Sequence, residues 1–236
     1  HYFDASQARL SYFEWGVADA PPILMAHATG FHGRVWDKTI AAIPDAYRII
    51  AVELRGHGRS QYTKPIDTWQ SIATDLGELV QSLSLCGAIG VGHSMGAHCI
   101  TQLAHDLPDV FCRLVLVDPV ISPPKTYEFD RHAEFSGPHD PPIAARRSKF
   151  ESWRAMQDHF RDRHPYSLWQ PSVLEDYCRY GLSPCASGNG YELACAPIVE
   201  ASVYYVQRHG NIHHLLPNIT IPVTVLRAQM RTADEW

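Results

Sequence analysis

The pentapeptide Gly92-His93-Ser94-Met95-Gly96 constrains this chain more than any other stretch. It follows the apolar run Ala88-Ile89-Gly90-Val91 and precedes a helical pattern from Met95 to about Asp106. A strand, a serine-bearing turn and a helix, in that order, give a Gly-x-Ser-x-Gly match its structural meaning. The chain must reverse within a few atoms, so residues two before and two after the serine approach each other and the neighbouring strands. Only very small side chains fit there, and the serine is driven into a strained backbone conformation. The turn predicts Ser94 Oγ held above a sheet, with the first helix N–H groups aimed at whatever bonds to it. Ser94 is therefore read as a nucleophile. A chance match is the alternative for so short a pattern, and the flanking strand and helix weigh against it.

Around this turn the apolar pattern alternates between short buried runs and helical spacing. Tyr2-Phe3-Asp4 and Arg9 to Trp15 suggest an opening hairpin. Pro22 to Ala26, Tyr47 to Val52 and Leu114 to Val117 read as strands covered on both faces. A helix is expected near Trp36 to Ile43, and another over Trp69 to Leu83 on the spacing of Ile72, Leu76, Leu79, Val80 and Leu83. Strands alternating with helices imply an α/β fold, with a mainly parallel central sheet and helices on both faces.

After Asp118 the character changes. Pro-rich knots (Pro123-Pro124, Pro138 with Pro141-Pro142, and Pro184) punctuate helical patterns near Ile143–Arg163, Ser172–Tyr180 and Ile198–His209, without a clear strand. Ile221 to Leu226 then returns to a buried-strand pattern. The expected organisation is a core of residues 1–122 and 219–236, with a helical cap of residues 123–218 inserted after the sixth strand.

Composition excludes several function classes. A formal charge of −5 provides no basic footprint for nucleic acid and no polybasic membrane patch. No apolar run approaches the ~20 residues that span a bilayer, and the first residues have no signal-peptide pattern. Six cysteines without a C-x-x-C pair argue against zinc and thioredoxin-type chemistry. Cys86, Cys99 and Cys112 lie in apolar segments, where cysteine acts as a small hydrophobe. A reducing cytoplasm is the expected compartment, and neither cofactor nor metal is called for.

Four motifs together resemble one family. His27-Ala28 with its Gly-containing loop is similar to the His-Gly oxyanion loop after the third strand of α/β-hydrolases. Arg55-Gly56-His57-Gly58-Arg59-Ser60 is similar to the family's Arg-Gly-x-Gly-x-Ser loop after the fourth strand. Gly92 to Gly96 resembles its nucleophile elbow, and Leu116-Val117-Asp118-Pro119 its sixth-strand ending. The resemblance implies that Ser94 Oγ attacks a carbonyl while the backbone N–H of Met95 holds the oxyanion. It implies a second donor in the loop after the third strand, at Thr29, with Gly30 as the neighbouring candidate. Ala28 departs from the family's usual glycine.

The acid is left open by the same comparison. Many members carry it after the seventh strand, where this chain reads Leu226-Arg227-Ala228-Gln229-Met230-Arg231. Asp118, at the end of the sixth strand, is placed like the acid of haloalkane dehalogenases and related members. Asp234 and a residue outside this sequence are the alternatives. The family's histidine follows an eighth strand, and no histidine follows Asp234, so the expectation is a chain shortened at its C-terminus, without its base and with a bare edge at the seventh strand. His209, His213 and His214 are read as surface or packing residues, and His27, His57 and His93 as structural.

Phe150, Trp153, Phe160, Trp169, Tyr177 and Tyr180 could line an acyl pocket or form the cap's own core. Arg146, Arg147 and Lys149 are read as a solvated helix face. The expected function is a serine hydrolase acting on a small carboxylic ester, lactone or similar acyl compound. Carbon–carbon bond hydrolysis, cofactor-free perhydrolysis and non-catalytic binding of a small ligand are the alternatives. The resemblance specifies no substrate.

Overall fold

The computed structural model describes residues 1–128, 137–139 and 141–228. Strands β1 (Tyr2–Asp4) and β2 (Arg9–Trp15) form the opening hairpin, with Phe3 opposite Leu10. β3 (Pro22–Ala26) leads through a 3-10 turn at Gly33–Trp36 and the one-turn helix α1 (Asp37–Ile40) to β4 (Arg48–Glu53). Helix α2 (Trp69–Ser82), β5 (Ala88–His93), α3 (Met95–Asp106) and β6 (Phe111–Val117) follow. The expected cap segment holds α4 (Pro124–Glu128), β7 (Lys149–Phe150), α5 (Trp153–Phe160), α6 (Pro171–Tyr180), β8 (Leu182–Pro184), β9 (Tyr191–Leu193) and α7 (Pro197–Val206). β10 (Val223–Leu226) closes the series.

Seven strands make one sheet in the order β1-β2-β4-β3-β5-β6-β10. β1, β2 and β4 pair antiparallel; β4 with β3, β3 with β5, β5 with β6 and β6 with β10 pair parallel. The continuous apolar runs of β3 and β4 follow from burial on both faces. Leu24, Ala26, Ile50 and Val52 point into the main core beneath α2 and α3. Their neighbours Ile23, Met25, Ile49 and Ala51 point the opposite way, onto Trp36 and Ile40. Helix α2 begins at Thr68, whose side chain accepts the Ser71 N–H at 3.1 Å, and it buries Ile72, Leu76, Leu79 and Val80.

Several expectations need correction. The segment after β6 does contain strands: β7, β9 and β8 form a small antiparallel sheet. Each has only two or three residues, too few to show alternation. The helical pattern over 143–163 resolves into a 3-10 turn at Pro142–Ala145, β7 and α5, because Ser152 caps a new helix start by accepting the Ala155 N–H. The helix expected near Trp36 to Ile43 shrinks to one turn. β10 carries the apolar run of a buried strand but forms the bare edge expected there: among the described residues it pairs with β6 alone, and Val223, Val225 and Leu226 are 44–50% exposed. Cys99 is buried, but Cys86 and Cys112 are exposed.

The segment 123–218 is not uniform. Phe150, Met156, Phe160, Leu174, Tyr177 and Leu193 gather in a cluster of their own. Helix α7 instead joins the main core through Val199, Val203 and Val206. Two bonds tie it to the α2 region: Trp69 Nε1–H donates to Val203 O at 3.0 Å, and Ile66 N–H to Ser202 Oγ at 2.7 Å.

Candidate active site

Ser94 sits between β5 and α3 at φ 54°, ψ −116°, a backbone region that a residue with a Cβ occupies only when its surroundings hold it there. The hold is visible on both sides. Ser94 N–H donates to Val117 O at 2.9 Å, and Ser94 O accepts from His98 N–H at 3.2 Å and Val120 N–H at 3.3 Å. The flanking glycines have the steric role read from the sequence. A Cβ on Gly92 would stand 2.6 Å from Ala97 N, and one on Gly96 would stand 2.7 Å from the Ala26 carbonyl carbon.

Asp118 follows β6 directly, also with positive φ (43°), and its N–H donates to Leu226 O at 2.7 Å. The turn after β6 is thus fastened to the elbow on one side and to β10 on the other. The Asp118 carboxylate acts on His93: burial pushes this imidazole below its ordinary pKa, and the nearby carboxylate opposes that shift. Asp234, the alternative acid, lies outside the described residues.

Thr29 is buried in the loop after β3, and its Oγ1 lies 3.6 Å from Met95 Sδ, so this loop packs onto the residue following Ser94. Met95 is the first residue of α3, so its N–H lies in the helix's unsatisfied first turn. Phe31, two residues beyond Thr29, sets its ring edge against His93 with centroids 5.7 Å apart. The loop therefore touches both neighbours of Ser94.

The histidines near the site are largely committed to backbone. His27 accepts the Leu54 N–H on Nε2 at 3.0 Å and pairs through Nδ1 with Ala28 O at 2.8 Å. His57 Nδ1 reaches Arg55 O at 2.8 Å, and His98 Nδ1 reaches Val120 O at 3.1 Å. His213, set aside in the sequence reading, is brought to the loop after Asp118, where Nε2 meets Ser122 O at 2.7 Å. The Arg55 to Ser60 loop is framework as well. Arg55 forms a bidentate pair with Asp75 at 2.6 and 2.7 Å, and Ser60 Oγ accepts the Ser11 N–H at 2.8 Å.

Two cavities flank these elements. One of about 720 Å³ lies against β6 and β10, with Asp118 and His213 in a wall that is mostly apolar. The other, about 370 Å³, is lined by Thr29 and Phe31 of the β3 loop together with Phe160, Trp169, Tyr177 and Tyr204. The smaller one is lined in part by Thr29 and Phe31, which belong to the loop that packs on Met95 and His93. Phe160, Trp169 and Tyr177 thus both line this pocket and pack in the α5–α6 cluster.

Arg146 corrects the sequence reading. It is not on a solvated face: its Nη1 donates to both Glu200 carboxylate oxygens at 2.8 and 2.9 Å, and both residues line the smaller cavity. No local pattern could have paired residues 54 positions apart. The one sequence signal was a glutamate within the apolar spacing of α7. Among the described residues no group of His, Cys, Asp or Glu is arranged to hold a metal, and no helix is long and apolar enough to cross a membrane.

A family model described as the alpha/beta hydrolase family matches residues 23–220. A bifunctional esterase/perhydrolase of Acinetobacter calcoaceticus is 31% identical over 111 residues, covering 46% of this chain and 40% of that relative, so the match spans less than half of its length. A 3-oxoadipate enol-lactonase of Acinetobacter baylyi is 28% identical over 238 residues, covering 94% of this chain and 76% of its own. The thioesterase domain from the curacin biosynthetic pathway superposes with a TM-score of 0.76 at 19% identity, over 95% of this chain and 81% of that one, a likeness of fold. With the sheet order, the strained serine turn and the match over most of its length, the chain belongs to the alpha/beta hydrolase family.

Proposed function

We propose that the protein is a serine hydrolase that cleaves a small carboxylic ester, lactone or related acyl compound through an acyl-enzyme on Ser94. The observation that carries this reading is the Ser94 backbone at φ 54°, ψ −116°, held by bonds to Val117, His98 and Val120. Strain of this kind is retained where it serves a site.

In the proposed reaction Ser94 Oγ adds to the substrate carbonyl carbon as its proton passes to a base. The Met95 and Thr29 N–H groups hold the negative oxygen that forms, an interaction typically worth ~10²–10³ in rate per donor. Collapse expels the alcohol, which takes up the proton, and water then releases the acid and restores Ser94. In this reading Asp118, which follows β6 directly, is the acid that orients and stabilises an imidazolium. We do not assign the base to His27, His57, His98 or His213, whose ring bonds run to backbone.

A second reading replaces water by hydrogen peroxide as acyl acceptor. The similarity to a protein named an esterase/perhydrolase favours it, and it uses the same serine step. Fluorophosphonate labelling with mass-spectrometric mapping tests the common core of both. The adduct is expected on Ser94 and is expected to vanish in Ser94→Ala. An adduct on another serine, or labelling that survives the substitution, would reject the proposal.

A further inference from the structure

The smaller cavity has an unusual charge inventory for an acyl pocket. Its lining is aromatic and aliphatic except for Thr29, the tyrosines and one ion pair, Arg146–Glu200, whose side chains are only 14% and 5% exposed. Burying an ion pair is costly, and an apolar pair of similar volume is often as stable or more so. The pair therefore contributes little to stability that Leu or Met could not supply, and a role toward a ligand is the more economical account.

The geometry leaves Arg146 with donors to spare. Both bonds to Glu200 come from Nη1, so the guanidinium edge formed by Nε and Nη2 is not used by that carboxylate. The Tyr177 hydroxyl interacts with the guanidinium, which also lies over the Phe160 ring with its carbon 5.8 Å from the centroid. Glu200 is fixed from the other side. A Cβ on Gly30 would stand 2.9 Å from Glu200 Cδ, so this carboxylate rests on the loop that carries Thr29. Tyr166 and Tyr204 add further hydroxyls to the lining.

We infer that this cavity selects an acyl substrate bearing a second acidic group, whose carboxylate is taken by the edge of Arg146 that Glu200 leaves unused, beside the Tyr177 hydroxyl, while Glu200 holds the guanidinium in place. A planar guanidinium suits this, since it offers a carboxylate two parallel N–H groups on an edge separate from the one already engaged. The empty pocket stays neutral overall, which makes a buried arginine tolerable. The incoming anion gains a fixed cation and tyrosine donors in place of water. A cavity of about 370 Å³ holds about a dozen water-sized groups, which limits the substrate to a compact half-ester or an acidic lactone.

The inference rests on the serine-hydrolase reading for the word substrate, but it is tested by binding. Titration calorimetry on the Ser94→Ala protein compares monomethyl glutarate with dimethyl glutarate and the neutral monomethyl ester amide. The half-ester is expected to bind at least about 10-fold more tightly than either neutral compound, the usual margin for a hydrogen bond to a charged group. Arg146→Lys is expected to keep part of that preference and Arg146→Met to abolish it. Because Arg146→Met strands the Glu200 charge, the double variant Arg146→Met/Glu200→Gln, checked by thermal unfolding, carries the same expectation with a relieved pocket. Equal or weaker binding of the half-ester, no binding of any of the three, or a preference that survives the double variant would overturn the assignment. Ser94 labelling without half-ester preference defeats this inference alone, and half-ester preference without Ser94 labelling defeats the hydrolase reading alone.

Discussion

Acidifying the protein from pH 7.5 to 5.5 is expected to weaken it through histidines that the fold keeps neutral. His27 is the plainest case. The Leu54 N–H can be accepted only by a bare Nε2, so the proton resides on Nδ1 and is donated to Ala28 O. A second proton would set N–H against N–H inside a fully buried site, and burial holds His27 well below its ordinary pKa. Burial likewise pushes His32, His57 and His98 from 6.5 down to about 4. A folded pKa below the unfolded one means the contribution is complete above pH 6.5 and lost as pH falls toward 4. Over two pH units from 7.5 each of these three loses about 1.3 kcal/mol, about 4 kcal/mol together. Glu53, Asp75 and Glu200 act oppositely, since burial raises their pKa and protonating them on acidification favours the fold. A net loss of about 2–4 kcal/mol remains, or about 1 M in urea midpoint for a typical denaturant slope. Urea unfolding followed by tryptophan fluorescence at the two pH values measures it directly. A midpoint that is unchanged or higher at pH 5.5 would refute the reasoning. In His57→Gln the dependence on pH should flatten, whatever the variant's absolute stability.

The Arg55–Asp75 pair, with both side chains 2% exposed, predicts that Asp75→Ala costs about 3–5 kcal/mol by leaving a buried guanidinium unpaired. In a chain of this length that lowers Tm by about 10 °C, read by circular dichroism; a fall under about 3 °C would contradict the assigned role. Gly96→Ala forces a Cβ onto the Ala26 carbonyl and should cost about 1–3 kcal/mol in urea unfolding. It should also slow fluorophosphonate labelling, because displacing α3 moves Met95 and Ser94 together; unchanged labelling and stability would mean that the turn is looser than its contacts indicate.

Local chemistry made most of the scaffold legible. Short apolar runs bounded by turns marked β3, β4 and β5 within a residue or two, because strands covered on both faces leave no polar position. The spacing of Ile72, Leu76 and Leu79 marked α2 for the same kind of reason. The elbow was legible because its requirement is steric and lies within five residues. Where the information is local but weak, the reading failed: β7, β8 and β9 are too short to alternate, and a capping serine at 152 divides what looked like one helix.

The sequence by itself determined the parallel sheet through periodicity and the strained serine through glycines within a few positions of Ser94, while the likeness to the family needed four motifs spread from His27 to Pro119. The tertiary structure alone decided what surrounds that serine. Arg146 looks like part of a basic surface until α7 brings Glu200 against it across 54 positions, and His213 looks like a surface residue until it meets Ser122 O. Val225 stands in an apolar run like those of the core strands, and its half exposure follows from β10 pairing, among the described residues, with β6 alone. Charge and apolarity are written in the chain, but burial and pairing depend on which distant segments come to lie beside them.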